Sequence, residues 1–173
     1  MNTLSGSLRL FPFAVWFCTL LVLSGCGYHL AGQGRGMMPA DVKTIFVSGS
    51  GDAAKQTVPL MRNYVRDHAD GYTVTKEQDL ADAELHIGDM TESFTPSAFD
   101  TQGVVTTYTL TLSGSLSLLK GGESIWSSGS IRQTGTVYAV GGPAGIESNR
   151  ARMREDLQRQ WVQEAWVRLA SGF

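Results

Sequence analysis

Apolar and polar side chains alternate almost strictly along residues 104–119 (VVTTYTLTLSGSLSLL). One face of this segment carries Thr106, Tyr108, Leu110, Leu112, Leu116 and Leu118. The other face carries hydroxyl side chains, namely Thr107, Thr109, Thr111, Ser113, Ser115 and Ser117. A period of two is that of a β-strand that buries one face and exposes the other. The pattern therefore predicts a long strand with a polar outer surface.

A second long strand is predicted directly after the first. Residues 124–140 follow the turn Lys120-Gly121-Gly122-Glu123, whose two glycines favour a tight reversal of the chain. The two strands are therefore expected to pair as an antiparallel hairpin of unusual length.

Two other segments have the period of an α-helix. Residues 57–68 place their apolar side chains on one face, with Thr57 as the expected N-cap and Pro59 in the first turn. Near the C terminus, residues 146–170 carry an apolar stripe made of Ile146, Met153, Leu157, Trp161, Ala165 and Leu169. Both helices are amphipathic, so each is expected to cover a sheet.

Three shorter segments are typical of strands, at residues 42–48, 72–76 and 83–92. The resulting order is strand, helix, several strands and helix, which predicts an α+β fold. We expect a two-layer sandwich, in which two helices cover one face of a four-stranded, mostly antiparallel sheet.

An uncharged run at residues 10–23 follows Arg9 near the N terminus. As a helix it would be about 21 Å long, less than the roughly 30 Å needed to cross a bilayer core, so a secretory signal peptide is favoured. The run ends in Leu23-Ser24-Gly25-Cys26, which resembles a bacterial lipobox, where the thiol is acylated and the chain is cut before it. Because the other cysteine, Cys18, precedes the cut, Cys26 is predicted to be the lipid attachment site rather than half of a disulfide.

Cleavage before Cys26 divides the chain into three parts. These are a signal peptide (1–25), a lipidated N terminus with a glycine-rich flexible tether (26–40), and a single α+β domain (41–173). Several acyl chains would hold this domain on a membrane, at about 0.8 kcal/mol for each buried methylene. In similar lipoproteins an Asp after the cysteine favours the inner membrane; Gly27 stands here, so the periplasmic face of the outer membrane is expected.

Charge and residue types exclude several classes of function. The full chain has 14 basic and 16 acidic residues, and the signal peptide contributes Arg9 alone, so the mature formal charge is −3. This balance gives no electrostatic basis for binding nucleic acid. His29, His68 and His86 lack the spacing of metal ligands, and there is no G-x-S-x-G sequence around a nucleophile. We therefore predict no metal, no cofactor and no catalytic residue.

One motif nevertheless resembles part of a dinucleotide-binding enzyme. Residues 49–54 (GSGDAA) match G-x-G-x-x-A after a strand, and Glu77 follows the next strand. Such a site needs a helix that begins at the glycines and a parallel sheet. The apolar helical pattern begins only near Thr57, and the later strands are expected to be antiparallel. The enzymatic interpretation is therefore rejected.

Four features together resemble one known family across the mature chain. They are the start Cys26-Gly27-Tyr28-His29-Leu30, the Val58-Pro59-Leu60 helix start after a glycine-rich turn, the strand at residues 103–112, and the final amphipathic helix. This combination is similar to the LptE family of lipopolysaccharide-assembly lipoproteins. The resemblance implies a non-catalytic outer-membrane protein that plugs the LptD β-barrel, assists its assembly and contacts lipopolysaccharide in transit.

Lipopolysaccharide carries phosphate groups, so its contacts are sought among basic side chains. The loop at residues 97–103 has Asp100 and no cation, and this leaves Lys120 and Arg132 as the predicted lipopolysaccharide-binding residues. The densest basic cluster is Arg150, Arg152 and Arg154. It lies near a helix N terminus, where positive charge opposes the helix dipole. The cluster is either a solvated face, with Glu155 paired to Arg159, or the binding site of an external anion.

Two non-catalytic functions stay open on the sequence alone. The chain is either a subunit inside an outer-membrane barrel or a free-standing lipoprotein that acts as a pilotin-like chaperone or a carrier of apolar ligands. The row of Thr and Ser side chains favours the first, because the inner wall of a water-lined barrel is polar.

Overall fold

The computed structural model describes residues 38–69 and 71–172, in which eight strands form two sheets. The five-stranded sheet has the order β2-β1-β3-β6-β7, with strands Thr73–Thr75, Thr44–Gly49, Ala83–Ile87, Leu116–Lys120 and Glu123–Ser127. The three-stranded sheet has the order β4-β5-β8, with strands Thr91–Phe99, Val105–Gly114 and Ile131–Tyr138. β1 pairs in parallel with β2 and β3, and the other pairings among the described strands are antiparallel.

Two long helices cover these sheets. α1, Gly51–His68, connects β1 to β2 and packs on β1, whereas α2, Gly142–Ser171, packs on β8 and β5. The two helices also pack on each other. Neither has an apolar stretch of the length that a membrane crossing requires, and the same holds throughout the described residues.

The two sheets meet at a break that is aligned across neighbouring strands. The chain leaves regular strand geometry at residues 88–90, at Ser115 and at residues 128–130. At this level the Gly88 N–H donates to the Ser115 carbonyl at 2.8 Å, and a Cβ on Gly88 would lie 2.5 Å from the Ser115 Oγ. On the other side of Ser115, the Ser128 N–H donates to the Leu116 carbonyl and the Ser128 Oγ accepts from the Leu116 N–H.

The predicted α+β class is confirmed, but the single four-stranded sheet with both helices on one face is wrong. Each long predicted strand is divided at the break, and each helix covers mainly one of the two sheets. The alternation of buried and exposed residues could not reveal this division, because the alternation continues across the break: Leu110, Leu112, Leu116 and Leu118 are all buried. The divided strands keep the same face inward on both sides of Ser115.

The start of α1 also differs from the prediction. The helix begins at Gly51, so Thr57 is an interior residue whose hydroxyl donates to the Ala53 carbonyl at 3.0 Å rather than an N-cap. Residues 51–56 (GDAAKQ) contain no large apolar side chain, and this hides the start of the helix from a search for apolar periodicity. Gly49 permits the close approach of strand and helix, because a Cβ there would lie 3.0 Å from the Ala54 carbonyl carbon.

Trp161 lies at the centre of the face that α2 buries. Its side chain is 0% exposed, and Leu157, Ala165 and Leu169 of the predicted stripe are buried beside it. The indole ring reaches the end of β5, where a Cβ on Gly114 would come within 3.5 Å of it. The predicted packing of the last helix is therefore confirmed.

Trp161→Ala should lower the free energy of unfolding by about 3 to 5 kcal/mol, because it removes a large buried ring and leaves a cavity. That loss is a large share of the roughly 5 to 15 kcal/mol available to a domain. Thermal and urea unfolding measure it. Val167→Ala in the same helix is the control, since Val167 is 55% exposed, and it should change stability little. Equal effects of the two variants would contradict this packing.

Candidate functional site

The three-stranded sheet turns a polar surface away from α2, which we name the hydroxyl face. It consists of Thr91, Ser93, Thr95, Thr107, Thr109, Thr111, Ser113, Arg132, Thr134 and Thr136. These residues alternate along their strands with buried ones such as Leu110, Leu112, Ile131 and Val137. Burial of the alternate residues under α2 therefore fixes the orientation of the hydroxyl face.

Strand register arranges the hydroxyl face in rows. Thr91, Ser113 and Arg132 form one row, and Thr95, Thr109 and Thr136 form another. The middle row is Ser93, Thr111 and Thr134, in which the Thr111 and Thr134 hydroxyls are 3.5 Å apart. Most hydroxyls of the face have no side-chain hydrogen bond within the described residues, so they are available to another molecule.

Arg132 lies beside a cavity at one end of the hydroxyl face. The cavity has a volume of about 320 Å³ and is lined by Thr91, Glu92, Ser93, Thr111, Ser113 and Arg132. Arg132 is exposed, and its guanidinium has no ion-pair partner in the described part of the chain. A guanidinium beside several hydroxyls is suited to bind phosphate or sugar oxygens.

The opposite face of the same sheet carries an ionic clamp to α2. Glu92 of β4 accepts hydrogen bonds from Arg150 Nε at 2.9 Å and Nη2 at 2.6 Å, and from Arg154 Nη2 at 3.0 Å. Arg154 Nε also binds the second carboxylate oxygen. The Glu92 side chain is only 17% exposed, so these contacts are partly shielded from water. The clamp holds the first half of α2 against β4.

Aromatic stacking extends this clamp towards β5. The Arg150 guanidinium lies 4.7 Å from the ring centroid of Phe94, and Phe94 stacks on Tyr108 with centroids 4.4 Å apart. The Arg154 hydrogen bond, together with Arg150, holds the pKa of Glu92 below its ordinary value despite partial burial. The same contact raises the pKa of Arg154. Both partners therefore keep their charges near neutral pH.

The clamp revises the interpretation of the basic cluster. Arg150 and Arg154 bind Glu92, and Arg152 contacts Asn149, so the cluster is neither simply solvated nor aimed at an external anion. The expected pair of Arg159 with Glu155 is also wrong, because Arg159 binds Asp156. Sequence reasoning missed Glu92 because the contact spans 58 residues to Arg150, and no local spacing reveals it.

Lys120 and Arg132 lie in different sheets. Lys120 ends β6 and forms an ion pair with Asp41, whose pKa is lowered by the Lys120 hydrogen bond. Arg132 pairs in register with Ser113, seven residues before Lys120 on the divided strand. At about 3.3 Å per residue, seven residues of extended chain span at most roughly 23 Å. The structure does not bring the two predicted cations together.

The motif at residues 49–54 meets two conditions that had counted against it: its helix begins at Gly51, and β1 lies parallel to β2 and β3. Its serine is nevertheless engaged within the protein. The Ser50 Oγ lies 2.9 Å from His86 Nε2, and the Ser48 Oγ lies 2.7 Å from His86 Nδ1 and donates to Glu84. This network ties β1 to β3. No cluster of three metal-ligating side chains occurs within residues 38–69 and 71–172.

Exposed apolar side chains gather at the far end of the three-stranded sheet, which we name the apolar end. Phe99, Val104, Tyr138 and Val140 are between 58% and 64% exposed. Phe99 and Val104 flank the β4–β5 turn, in which Asp100 Oδ1 accepts the Gln102 and Val104 N–H groups, and Tyr138 and Val140 lie at the end of β8, which pairs with β5. Large apolar groups clustered on a surface are typical of contact sites.

A comparison of the sequence with models of known protein families shows which family this chain belongs to. The family model described as LptE, lipopolysaccharide-assembly, matches residues 42–169, which is most of the chain. The chain belongs to the LptE family. Its role is therefore in lipopolysaccharide assembly, and the LptE family is non-enzymatic, as the sequence predicts.

Solved structures share the LptE-family fold of this chain at low identity. Uncharacterized lipoprotein B from Nitrosomonas europaea is 16% identical, with 84% of this chain and 91% of that chain covered and a TM-score of 0.63. A minor lipoprotein from Acinetobacter baumannii is 11% identical, with coverages of 77% and 94% and a TM-score of 0.56. The rare lipoprotein B from Shewanella oneidensis is 15% identical, with coverages of 73% and 90% and a TM-score of 0.52. No curated protein sequence matches significantly.

The hydroxyl face of this LptE-family chain is wider than its sequence predicted. The pattern assigned hydroxyls to the single strand that became β5 and β6, whereas Thr91, Ser93 and Thr95 of β4 and Thr134 and Thr136 of β8 flank the hydroxyls of β5. A signal was present in Thr91, Ser93 and Thr95, which alternate with Glu92 and Phe94. It was missed because the strand beginning at Ala83 was expected to end at Glu92.

Glu92→Gln should lower the free energy of unfolding near neutral pH by about 1 to 3 kcal/mol, because it removes a partly buried charge that holds two guanidinium groups. A carboxylate with a depressed pKa stabilises the fold fully above its ordinary value of 4.5, and this contribution disappears as the pH falls through the folded-state pKa. The difference between the wild type and Glu92→Gln should therefore shrink below that pH. Melting temperatures over the acid range measure it.

The matched control is Asp156→Asn, which breaks a pair whose side chains are 56% and 50% exposed on the same helix. It should change stability by less than about 1 kcal/mol. A Glu92→Gln effect that is equally small, or that persists unchanged in acid, would show that the clamp does not stabilise the fold.

Proposed function

We propose that this chain is a non-catalytic outer-membrane lipoprotein, acylated at Cys26, that forms a complex with the LptD β-barrel and plugs it from the periplasmic face. In that complex it assists transport and assembly of lipopolysaccharide at the cell surface. Membership of the LptE family supports the proposal. The hydroxyl face is the observation that carries the plug geometry.

The polarity of the hydroxyl face suits the interior of a barrel. Residues that point into the lumen of an outer-membrane barrel are polar, so a surface of Thr and Ser can pair with them directly or through water. Three strands of hydroxyls make a broad surface of this kind, and the Glu92 clamp on the other side keeps α2 from covering it.

The apolar end supports a further contact with the barrel partner. Phe99, Val104, Tyr138 and Val140 come from different segments and would lose water on meeting an apolar surface.

The free-standing carrier has weaker support. The groove between α1 and α2, lined by residues such as Leu60, Tyr64 and Val162, has a volume of only about 250 Å³. That is below the roughly 300 to 1,000 Å³ of most small-molecule pockets.

For lipopolysaccharide itself we propose contacts at Arg132 and, more weakly, at Lys120. Arg132 has a guanidinium without an ion-pair partner among residues 38–69 and 71–172, lies next to the hydroxyls of Thr91 and Ser113, and can bind a phosphate in a bidentate manner. Lys120 already has Asp41 as an ion-pair partner. A phosphate at Lys120 would have to compete with that carboxylate.

A photocrosslinking residue at Thr101, in the β4–β5 turn, should capture one large outer-membrane protein in intact cells, because the apolar end would contact the barrel. The control is the same probe in a Cys26→Ala background. A chain without the acceptor thiol should fail to reach the outer membrane, so the crosslinked product should disappear. Mass spectrometry identifies the captured protein. A profile with no large partner would favour the free-standing carrier.

Arg132→Gln should reduce lipopolysaccharide binding several-fold at low salt, and the difference from the wild type should narrow as salt rises, because the screening length is about 10 Å at 0.1 M salt. Lys120→Gln is the matched variant and should have a smaller effect. Binding of purified lipopolysaccharide to the detergent-solubilised protein measures both. Unchanged lipopolysaccharide binding by the double variant with Arg132→Gln and Lys120→Gln would show that neither residue belongs to the binding site.

A further inference from the structure

β8 forms one edge of the three-stranded sheet, and half of its backbone groups point away from that sheet. The Ala139 N–H donates to the Thr106 carbonyl, which makes this pair a hydrogen-bonded pair of the antiparallel ladder. Because such pairs alternate with non-bonded ones, Ile131, Gln133, Gly135 and Val137 face β5. The groups of Arg132, Thr134, Thr136 and Tyr138 therefore face outward.

Side chains of α2 cover both ends of this edge and leave its middle open. Asn149 Nδ2 donates to the Tyr138 carbonyl at 3.2 Å, which confirms the outward direction of that residue. At the other end, Arg168 Nη1 donates to the carbonyls of Ser128 and Ser130. Between these contacts, the outward backbone groups of Arg132, Thr134 and Thr136 have no partner within the described residues, and all three residues are exposed.

The other sheet edges in the described part of the chain are protected or short. β4 carries Pro96 at an outward position, and its pairing with β5 shifts register at that point. β2 has three residues, and β7 has five and pairs with a register shift at Leu118. Proline, irregular pairing and shortness are the usual protections against strand addition. β8 has none of them over its eight residues.

We infer that the open edge of β8 receives an extended segment of the outer-membrane partner protein as a fourth strand of the sheet; this rests on the proposed function. An extended backbone offers a row of donors and acceptors at the spacing of the outward groups. From Arg132 to Thr136 the open part of the edge is about 13 Å long, enough for a strand of about four or five residues. The added strand lies beside the hydroxyl face, so it extends the same contact surface.

Hydrogen exchange tests this pairing directly. In the lipidated protein produced without its partner, the amides of Arg132, Thr134, Thr136 and Tyr138 should exchange quickly, whereas the four inward amides of β8 stay protected. In protein extracted from outer membranes together with its partner, the outward amides should become protected as well. Mass spectrometry of peptides covering β8 counts the fast amides, and we expect about four in the free state and at most one in the complex.

Thr134→Pro removes one outward N–H without breaking a bond to β5, as Pro96 does naturally on β4. It should reduce recovery of the partner several-fold and restore fast exchange at Arg132 and Thr136. Thr134→Ala keeps the N–H but removes the same hydroxyl from the hydroxyl face, so it measures the loss that comes from the side chain alone, and Thr134→Pro should recover several-fold less partner than Thr134→Ala. Equal recovery by the two variants would overturn the inference.

The outcomes separate this inference from the proposed function. Fast outward amides in a complex that contains the barrel would refute strand addition and leave the plug proposal standing. Protected outward amides in protein that has no barrel partner would refute the plug and support strand addition by another polypeptide. Fast outward amides with no barrel partner would refute both.

Discussion

The contact of Glu92 with Arg150 and Arg154 is the interaction on which the functional surface depends. It connects residues far apart in sequence and holds the first half of α2 on one side of the three-stranded sheet. Trp161 fixes the second half of the helix near the end of β5. With α2 held on one side, the other side of the sheet is left as the hydroxyl face. A surface of hydroxyls is stable in water, and it can exchange water for another polar surface at little cost.

The division of the fold into two sheets gives each part its own task. The five-stranded sheet and α1 form much of the apolar core, and the Ser48–His86–Ser50 network ties its parallel strands together. The three-stranded sheet projects beyond the break and carries the hydroxyl face, the open edge of β8 and the apolar end. Three candidate contact surfaces therefore lie on one part of the molecule, as the proposed complex with a barrel requires.

The sequence predicted those features that depend on local periodicity. The stripe around Trp161 and the alternation around Leu110 each identified an element and its buried face, because burial imposes a repeat on neighbouring positions. The break at Ser115 was not predictable, since it divides one strand between two sheets without changing which face is buried. The Glu92 clamp was not predictable for a different reason: charge pairs between distant segments produce no periodic pattern in the sequence. Lipid attachment at Cys26 lies outside the described residues and stays a prediction from the lipobox.

If the proposed complex forms, the hydroxyl face is open in the free protein and covered in the complex. The proposed acylation of Cys26 leaves no other thiol in the mature chain, so single cysteines can be introduced at Thr109, Thr111 and Ser113 and compared with Leu110 and Leu112. A membrane-impermeant maleimide should label the first three in the lipidated protein separated from its partner and fail to label them in the outer-membrane complex, whereas the two leucine positions stay unlabelled in both. Equal labelling of the hydroxyl positions in the free and assembled protein would show that no partner covers the hydroxyl face.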